Sequence, residues 1–74
     1  MLYYEVSFND EYAICIKSEV ENPSKEMVAD FLSEDMKKFN YTIDDIFSID
    51  PISKEEAHSF YDMENEANFP VLKN

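Results

Sequence analysis

The spacing of the apolar residues changes along this chain, and each spacing predicts a different element. From residue 2 to residue 16 apolar side chains occupy alternate positions, in two runs: Leu2, Tyr4, Val6 and Phe8, then Tyr12, Ile14 and Ile16. A period of two is typical of half-buried β-strands. The polar stretch 9–11 between the runs predicts an antiparallel hairpin. Because the chain contains no glycine, we expect a loop longer than an ideal two-residue turn.

Farther along the chain the spacing becomes helical. Apolar residues recur every three or four positions at Met27, Val28, Phe31, Leu32, Met36 and Phe39. The segment 22–24, Asn-Pro-Ser, is a helix start signal, and the lysines at 37–38 suit the negative end of a helix dipole. These features predict a helix over residues 24–39.

A third strand and a second helix complete the predicted elements. The apolar segment 46–49 predicts the strand, which Asp-Pro at 50–51 closes. Residues 53–56, Ser-Lys-Glu-Glu, match a capping box and predict a helix that ends before Pro70. Residues 70–74 are then a short C-terminal tail.

These elements predict one compact acidic domain over residues 1–74, of the α+β class with the order ββαβα. The third strand runs antiparallel to the first, which predicts a three-stranded antiparallel sheet of order 2-1-3. We expect both helices to pack on one face of this sheet. The other face would then be thinly covered, so that a homodimer through this open face or an edge strand is an expectation.

The charge of the chain limits the kinds of ligand that it can bind. Seventeen Asp and Glu stand against six Lys and no Arg, a net charge of −11, yet 45% of the residues are hydrophobic. Disordered acidic tails lack such a hydrophobic content, so the acids belong to a folded protein. Repulsion excludes nucleic acid and anionic membranes as direct ligands and favours a basic partner protein.

The location is also suggested by composition. Cys15 is the single cysteine, which excludes an intramolecular disulfide. The N-terminus lacks the features of a signal peptide, and no apolar run approaches the ~18 residues of a membrane span. We expect a cytoplasmic protein, in the host cytoplasm if a phage encodes it.

Residues for catalysis or metal binding are few. Cys15 and His58 are the one thiol and the one imidazole, and nothing in the sequence orients them as a pair. Glu55 and His58 match half of a di-iron ligand set whose second copy is missing. Without glycine, neither an EF-hand loop nor a phosphate-binding loop is expected. The sequence therefore predicts a protein that is not an enzyme and holds no cofactor or metal.

The acidic residues are the candidates for partner binding. Those predicted to bind lie on the helices and beside the third strand: Glu26, Asp30, Glu34, Asp44, Asp45, Glu55, Asp62 and Glu66. Acids near the C-terminal end of a helix oppose its dipole, and this cost in stability suggests that the charge serves binding. Tyr3 and Tyr12 are the aromatic residues expected at an interface.

The size, acidity and compactness resemble those of small anti-restriction and anti-CRISPR proteins encoded by phages or mobile elements. This resemblance is one of class and rests on no shared motif. It implies an inhibitor that imitates nucleic acid and blocks the basic groove of a DNA- or RNA-binding protein. Two alternatives stay open. One is a small accessory or self-assembling domain whose acids only solubilise it. The other is an antitoxin-like partner that caps one specific basic protein.

Overall fold

The computed structural model describes residues 2–61 and 70–73. The elements follow the order β1 (Leu2–Phe8), β2 (Ala13–Ser18), α1 (Lys25–Phe31), α2 (Ser33–Lys38), a 3₁₀ turn (Ile43–Asp45), β3 (Ile46–Ile52), α3 (Lys54–Tyr61) and β4 (Val71–Leu72). The sheet has the strand order β3-β1-β2-β4. The α+β class is therefore confirmed, and β1 lies between β2 and β3 as predicted.

The sheet is mixed rather than antiparallel throughout, because the predicted tail contributes a fourth strand. β1 pairs antiparallel with β2 and β3, whereas β4 runs parallel to β2. The Lys17 N–H donates to the Pro70 carbonyl at 2.9 Å, and the Glu19 N–H donates to the Leu72 carbonyl at 2.9 Å. A strand of two residues is too short to leave a periodic pattern in the sequence.

The hairpin between β1 and β2 has the longer loop expected of a chain without glycine. The Phe8 N–H donates to the Tyr12 carbonyl at 2.8 Å, and the Glu11 N–H donates to the Phe8 carbonyl at 3.1 Å. Glu11 closes the turn with φ 73°, in the left-handed region that is unfavourable for a residue with a Cβ. Asn22 (φ 52°) and Asn40 (φ 60°) also adopt this region, which asparagine tolerates better.

The predicted helix 24–39 is present as two shorter helices that meet at Leu32. Leu32 has φ −96° and ψ 16°, and it caps α1 at its end and α2 at its start. The start signal at 22–24 offered Asn or Ser as the cap, and the N-cap of α1 is Ser24, because its Oγ accepts the Met27 N–H at 3.2 Å. The apolar spacing continues across Leu32, so the sequence pattern does not reveal the break.

The helices lie on opposite faces of the sheet, and the prediction that both cover one face is wrong. The larger core lies beneath α1 and α2 and comprises Tyr4, Val6, Phe8, Ile16, Val28, Leu32, Met36, Ile46 and Leu72. On the reverse face the buried Ala57 of α3 packs with the buried Cys15, and Tyr3 and Ile52 pack against them. We call these two groups the larger core and the smaller core.

The length of β3 explains the position of α3. β3 does not stop at residues 50–51 as predicted but continues through Pro51, which an edge strand tolerates, to Ile52. Ile52 pairs with Tyr3 and therefore faces the smaller core. A single residue, Ser53, separates β3 from α3. This connection is too short to lead the chain around the sheet edge to the face of the larger core.

The capping box that begins α3 is confirmed. The Glu56 N–H donates to the Ser53 Oγ at 3.1 Å, and the Ser53 N–H donates to the Glu56 Oε1 at 3.4 Å. These two bonds satisfy backbone donors that a helix start otherwise leaves unpaired. Within the described part of the chain, none of the helices has the length and apolar character that crossing a bilayer requires.

Candidate functional site

The acids predicted to bind a partner are mostly on the surface. The exposed ones are Glu26, Asp30, Glu34, Asp44 and Glu55. Asp45 is half-buried. The remaining two predicted residues, Asp62 and Glu66, lie outside the described residues.

Four acids lie on the successive helices α1 and α2, and we call them the acidic helical face: Glu26, Asp30, Glu34 and Asp35. All four side chains are exposed. The predicted straight stripe is interrupted at Leu32, so that the first two acids lie on α1 and the other two on α2. Lys38 Nζ lies 4.0 Å from Asp35 Oδ1. Because both side chains of this pair are exposed, it contributes little to stability.

The positions of the acids along the helices correct one argument from the sequence. Acids occupy the first turn of each described helix, where the dipole stabilises them: Glu26, Glu34, Asp35, Asp44, Asp45, Glu55 and Glu56. Asp30, in the last turn of α1, has the unfavourable placement that was expected of several acids. For the described residues, a cost in stability therefore does not argue that the charge serves binding.

A second surface lies where the hairpin loop, the end of α2 and the 3₁₀ turn meet. Its four rings, Phe8, Tyr12, Phe39 and Tyr41, form what we call the aromatic end. The Phe8 and Tyr41 ring centroids are 4.3 Å apart at 7°, and the Tyr12 and Phe39 centroids are 5.2 Å apart. Phe8 is buried, whereas Tyr12 is 44% exposed and Phe39 is 51% exposed. The stack thus runs from the larger core out to solvent.

The turn after α2 positions two of these rings. The Tyr41 N–H donates to the Met36 carbonyl at 2.8 Å, and the Asn40 N–H donates to the Lys37 carbonyl at 3.2 Å. With Asn40 in the left-handed region, this pair of bonds is a Schellman motif. The motif ends α2 and places Phe39 and Tyr41 beside each other, with their ring centroids 5.8 Å apart.

Carboxylates border the aromatic end. The Tyr41 hydroxyl donates to Asp10 Oδ2 at 2.6 Å, and the Tyr12 N–H donates to Asp10 Oδ1 at 3.1 Å. The hydrogen bond from Tyr41 and then that from Tyr12 lower the pKa of Asp10, and the bond to Asp10 raises the pKa of Tyr41 to about 12. Asp10 is consequently a stable negative charge at neutral pH.

Hydrogen bonds join the hairpin loop to the 3₁₀ turn. The Asn9 N–H donates to the Asp45 carbonyl at 2.9 Å, and the Asn9 side-chain amide donates to the Asp44 carbonyl at 3.2 Å. Asp45 also accepts the Thr42 N–H at its Oδ2, at 2.7 Å. These bonds hold segments that are distant in sequence in one arrangement, so the aromatic end is ordered by its surroundings.

The two tyrosines predicted at an interface lie in different places. Tyr12 belongs to the aromatic end. Tyr3 is half-buried beside the smaller core, with its ring centroid 6.5 Å from that of His58. Sequence reasoning missed Phe39, which was assigned to the apolar side of the helix. Its position directly before Asn40, a residue that commonly ends helices, is the signal that could have identified it.

Cys15, the one thiol considered for catalysis, lies in the smaller core. Cys15 is completely buried, and burial, with a contribution from Glu5, raises the pKa of its thiol to about 11. A thiol that stays protonated at neutral pH is a poor nucleophile. Over residues 2–61 and 70–73, no group of three or more His, Cys, Asp or Glu side chains is placed to hold a metal ion.

An open groove of about 390 Å³ separates α1 from β4. Its lining combines apolar and charged residues: Met27, Asp30, Phe31, Val71, Leu72 and Lys73.

Comparison of the chain with protein-family models, curated proteins and solved structures gave no match. Any functional assignment therefore rests on the charges and surfaces described above.

Proposed function

We propose that this protein is a non-enzymatic inhibitor that occupies the basic groove of a DNA- or RNA-binding protein in place of the nucleic acid. The observation that carries the proposal is the uncompensated charge, because a net charge of −11 leaves eleven carboxylates that no lysine of the chain can neutralise. Such a protein attracts a cationic surface over long distances and associates with it quickly. The proposal includes the anti-CRISPR or anti-restriction class and action in a host cytoplasm.

The acidic helical face is the surface that best supports this proposal. Its acids are exposed and lie on two successive helices. From Glu26 to Glu34 the rise of an α-helix gives a span of at most about 12 Å. One strand of duplex DNA carries a phosphate for about every 3.4 Å of helix axis, so the face covers the length of a few phosphates. A groove that binds a phosphate backbone would thus meet carboxylates at a comparable density.

A second candidate function is a small accessory or self-assembling domain. Phe47 favours it, because this ring is 69% exposed on the edge strand β3. Two features of the same edge oppose strand-to-strand association. Pro51 lacks an N–H, and the pairing of β1 with β3 shifts register between Ser7 and Phe8. The packing of α3 also leaves less of the reverse face open for a homodimer than was expected.

The test compares two variants of equal net charge as baits. The first neutralises three acids of the acidic helical face, with Glu26→Gln, Asp30→Asn and Glu34→Gln. The matched control neutralises three exposed acids elsewhere, with Glu19→Gln, Glu21→Gln and Asp50→Asn. Proteins captured from a bacterial lysate by each tagged variant and by the wild type are eluted with duplex DNA and then with high salt.

We expect the wild type and the control to capture a nucleic-acid-binding protein that duplex DNA releases, and the first variant to lose it. Equal capture by the two variants would contradict the role of the acidic helical face. Recovery of a partner that DNA cannot displace, or of the protein alone, would favour the second candidate. Size measurement at two salt concentrations then tests that candidate, because a homodimer held by apolar contacts is insensitive to salt.

A further inference from the structure

Two exposed rings of the aromatic end require an explanation that net charge does not supply. Tyr12 and Phe39 present about half of their surface to solvent, although electrostatic attraction needs no exposed aromatic residue. Tyr12 stacks with the buried Phe8, and the Phe39 ring packs at a tilt against Tyr12. Because packing against the neighbouring rings already restrains the exposed ones, ligand binding costs little of the protein's side-chain conformational entropy.

The charges around the rings identify the kind of ligand. Four carboxylates belong to the two segments that carry the exposed rings and to the 3₁₀ turn: Asp10, Glu11, Asp44 and Asp45. Two lysines, Lys37 and Lys38, directly precede Phe39 in the chain, and the second is paired with Asp35. The excess of negative charge is complementary to a cation, and the faces of aromatic rings also attract cations.

We infer that the aromatic end is the docking site for an arginine side chain on a basic segment of the partner. This inference rests on the proposed function, in which the partner is a basic protein. A guanidinium group is planar, stacks on tyrosine and phenylalanine rings and donates two parallel hydrogen bonds to a carboxylate. Asp10 accepts hydrogen bonds from within the chain at both oxygens and still has lone pairs for a further donor.

The two surfaces then have different tasks. Carboxylates on the exposed acidic helical face attract lysine and arginine alike, because at that face the attraction depends mainly on charge. Stacking on Tyr12 and Phe39 favours arginine, because a lysine ammonium is compact and strongly hydrated. The acidic helical face would steer the partner, and the aromatic end would select an arginine at the contact.

The experiment uses two synthetic peptides of equal length and charge, one alternating Arg with Ser and the other Lys with Ser. Binding to the full protein is measured by fluorescence anisotropy at low salt. We expect the wild type to bind the arginine peptide about tenfold more tightly than the lysine peptide. The variant Tyr12→Leu with Phe39→Leu removes both exposed rings and keeps apolar side chains, and it should lose this preference.

Two controls separate the site from general effects. Phe47→Leu removes an exposed ring outside the stack and should retain the preference. Tyr12→Phe keeps both rings and should retain it as well. Aromatic resonances of Tyr12 and Phe39 should shift on addition of the arginine peptide, as measured by NMR.

The outcomes distinguish this inference from the function on which it rests. Equal binding of the two peptides by the wild type, or a preference that survives in the double variant, would overturn the docking site. The proposed function would stand without the docking site if binding of both peptides were then weakened equally by the triple variant Glu26→Gln, Asp30→Asn and Glu34→Gln. Absence of binding by either peptide at low salt would overturn both.

Discussion

The two faces of the sheet differ in how much they bury, although adjacent residues of one strand serve both. Ile16 and Cys15 are neighbours on β2, and both are 0% exposed. Among the residues whose burial the structure describes, Ile16 belongs to the larger core with eight other buried residues, whereas Cys15 shares the smaller core with one, Ala57. Equal exposure of the two residues therefore does not mean an equal contribution to stability, because the free energy of folding depends on the apolar area that each whole layer buries.

The difference indicates which part of the protein opens first. α1 and α2 are anchored over the larger core, while the buried side chain that the structure describes on α3 is the small Ala57. An element with few buried contacts unfolds locally at a lower free energy than the whole domain. We expect α3 to detach from the sheet before the sheet and the other helices separate.

The largest expected effect comes from truncation on the two faces of β2. Ile16→Ala should lower the free energy of unfolding by about 2–5 kcal/mol, since it leaves a cavity in the larger core. Cys15→Ala removes one heavy atom and should cost about 1 kcal/mol. Both values come from chemical denaturation. If Ile16→Ala does not fold, Ile16→Val provides the measurement, and equal losses on the two faces would contradict the comparison.

A pH series tests how tightly the smaller core is closed. Burial raises the pKa of the Cys15 thiol from 9.0 to about 11. Above 9.0 the unfolded chain releases this proton and the folded protein keeps it, so the folded state loses stability as the pH rises to about 11. The loss should be on the order of 2 kcal/mol. The measurement is the free energy of unfolding against pH for the wild type and for Cys15→Ala, which has the same other titrating groups. If the two curves ran parallel, α3 would not bury the thiol.

Two helix caps provide a matched pair on opposite faces. Ser24 caps α1 and Ser53 caps α3, and replacement of either by alanine should cost about 1 kcal/mol. Ser24→Ala should lower the free energy of global unfolding. Ser53→Ala should act on the local opening of α3 and raise the rate of thiol labelling of Cys15 about fivefold. Identical labelling rates in the two variants would mean that α3 opens only when the whole protein unfolds.

The smallest expected effect lies at the rim of the larger core. Tyr41→Phe keeps the ring that stacks on Phe8 and removes the hydroxyl that donates to Asp10 at 2.6 Å. The pKa of Asp10 should rise toward its ordinary value of 3.8, as measured by NMR titration. In the wild type, this hydrogen bond stabilises the folded state at pH values above 3.8, and this contribution is lost as the pH falls through the lowered pKa of Asp10. An unchanged pKa would show that the hydroxyl does not hold the carboxylate.

The sequence allowed most elements to be predicted, but their boundaries less well. The structure confirms the alternation in β1 and β2, the helix start signal at 22–24 and the capping box at Ser53. The end of β3 was predicted too early, because Pro51 was taken as a stop although an edge strand accepts it. The break at Leu32 was not predicted, since the apolar side of α1 continues directly into that of α2.

The candidate site was predicted in part. Exposure of Glu26, Asp30 and Glu34 follows from their positions opposite the apolar side of the predicted helix. The exposed Tyr12 was also among the residues expected at an interface, but Phe39, whose ring packs against it, was not. A stack between residues that far apart depends on the meeting of the hairpin loop and the end of α2, which no local pattern describes.

By itself the sequence determined most of the secondary structure, the α+β class and the excess of negative charge, because periodicity, caps and composition are properties of neighbouring residues or of the whole chain. Only the tertiary structure decided that α3 lies opposite α1 and α2, that residues 71–72 complete the sheet, and that four rings meet at the aromatic end. These features depend on contacts between distant segments and on the lengths of the connections between them. The single residue between β3 and α3 is the clearest case, since its shortness determines which face α3 covers.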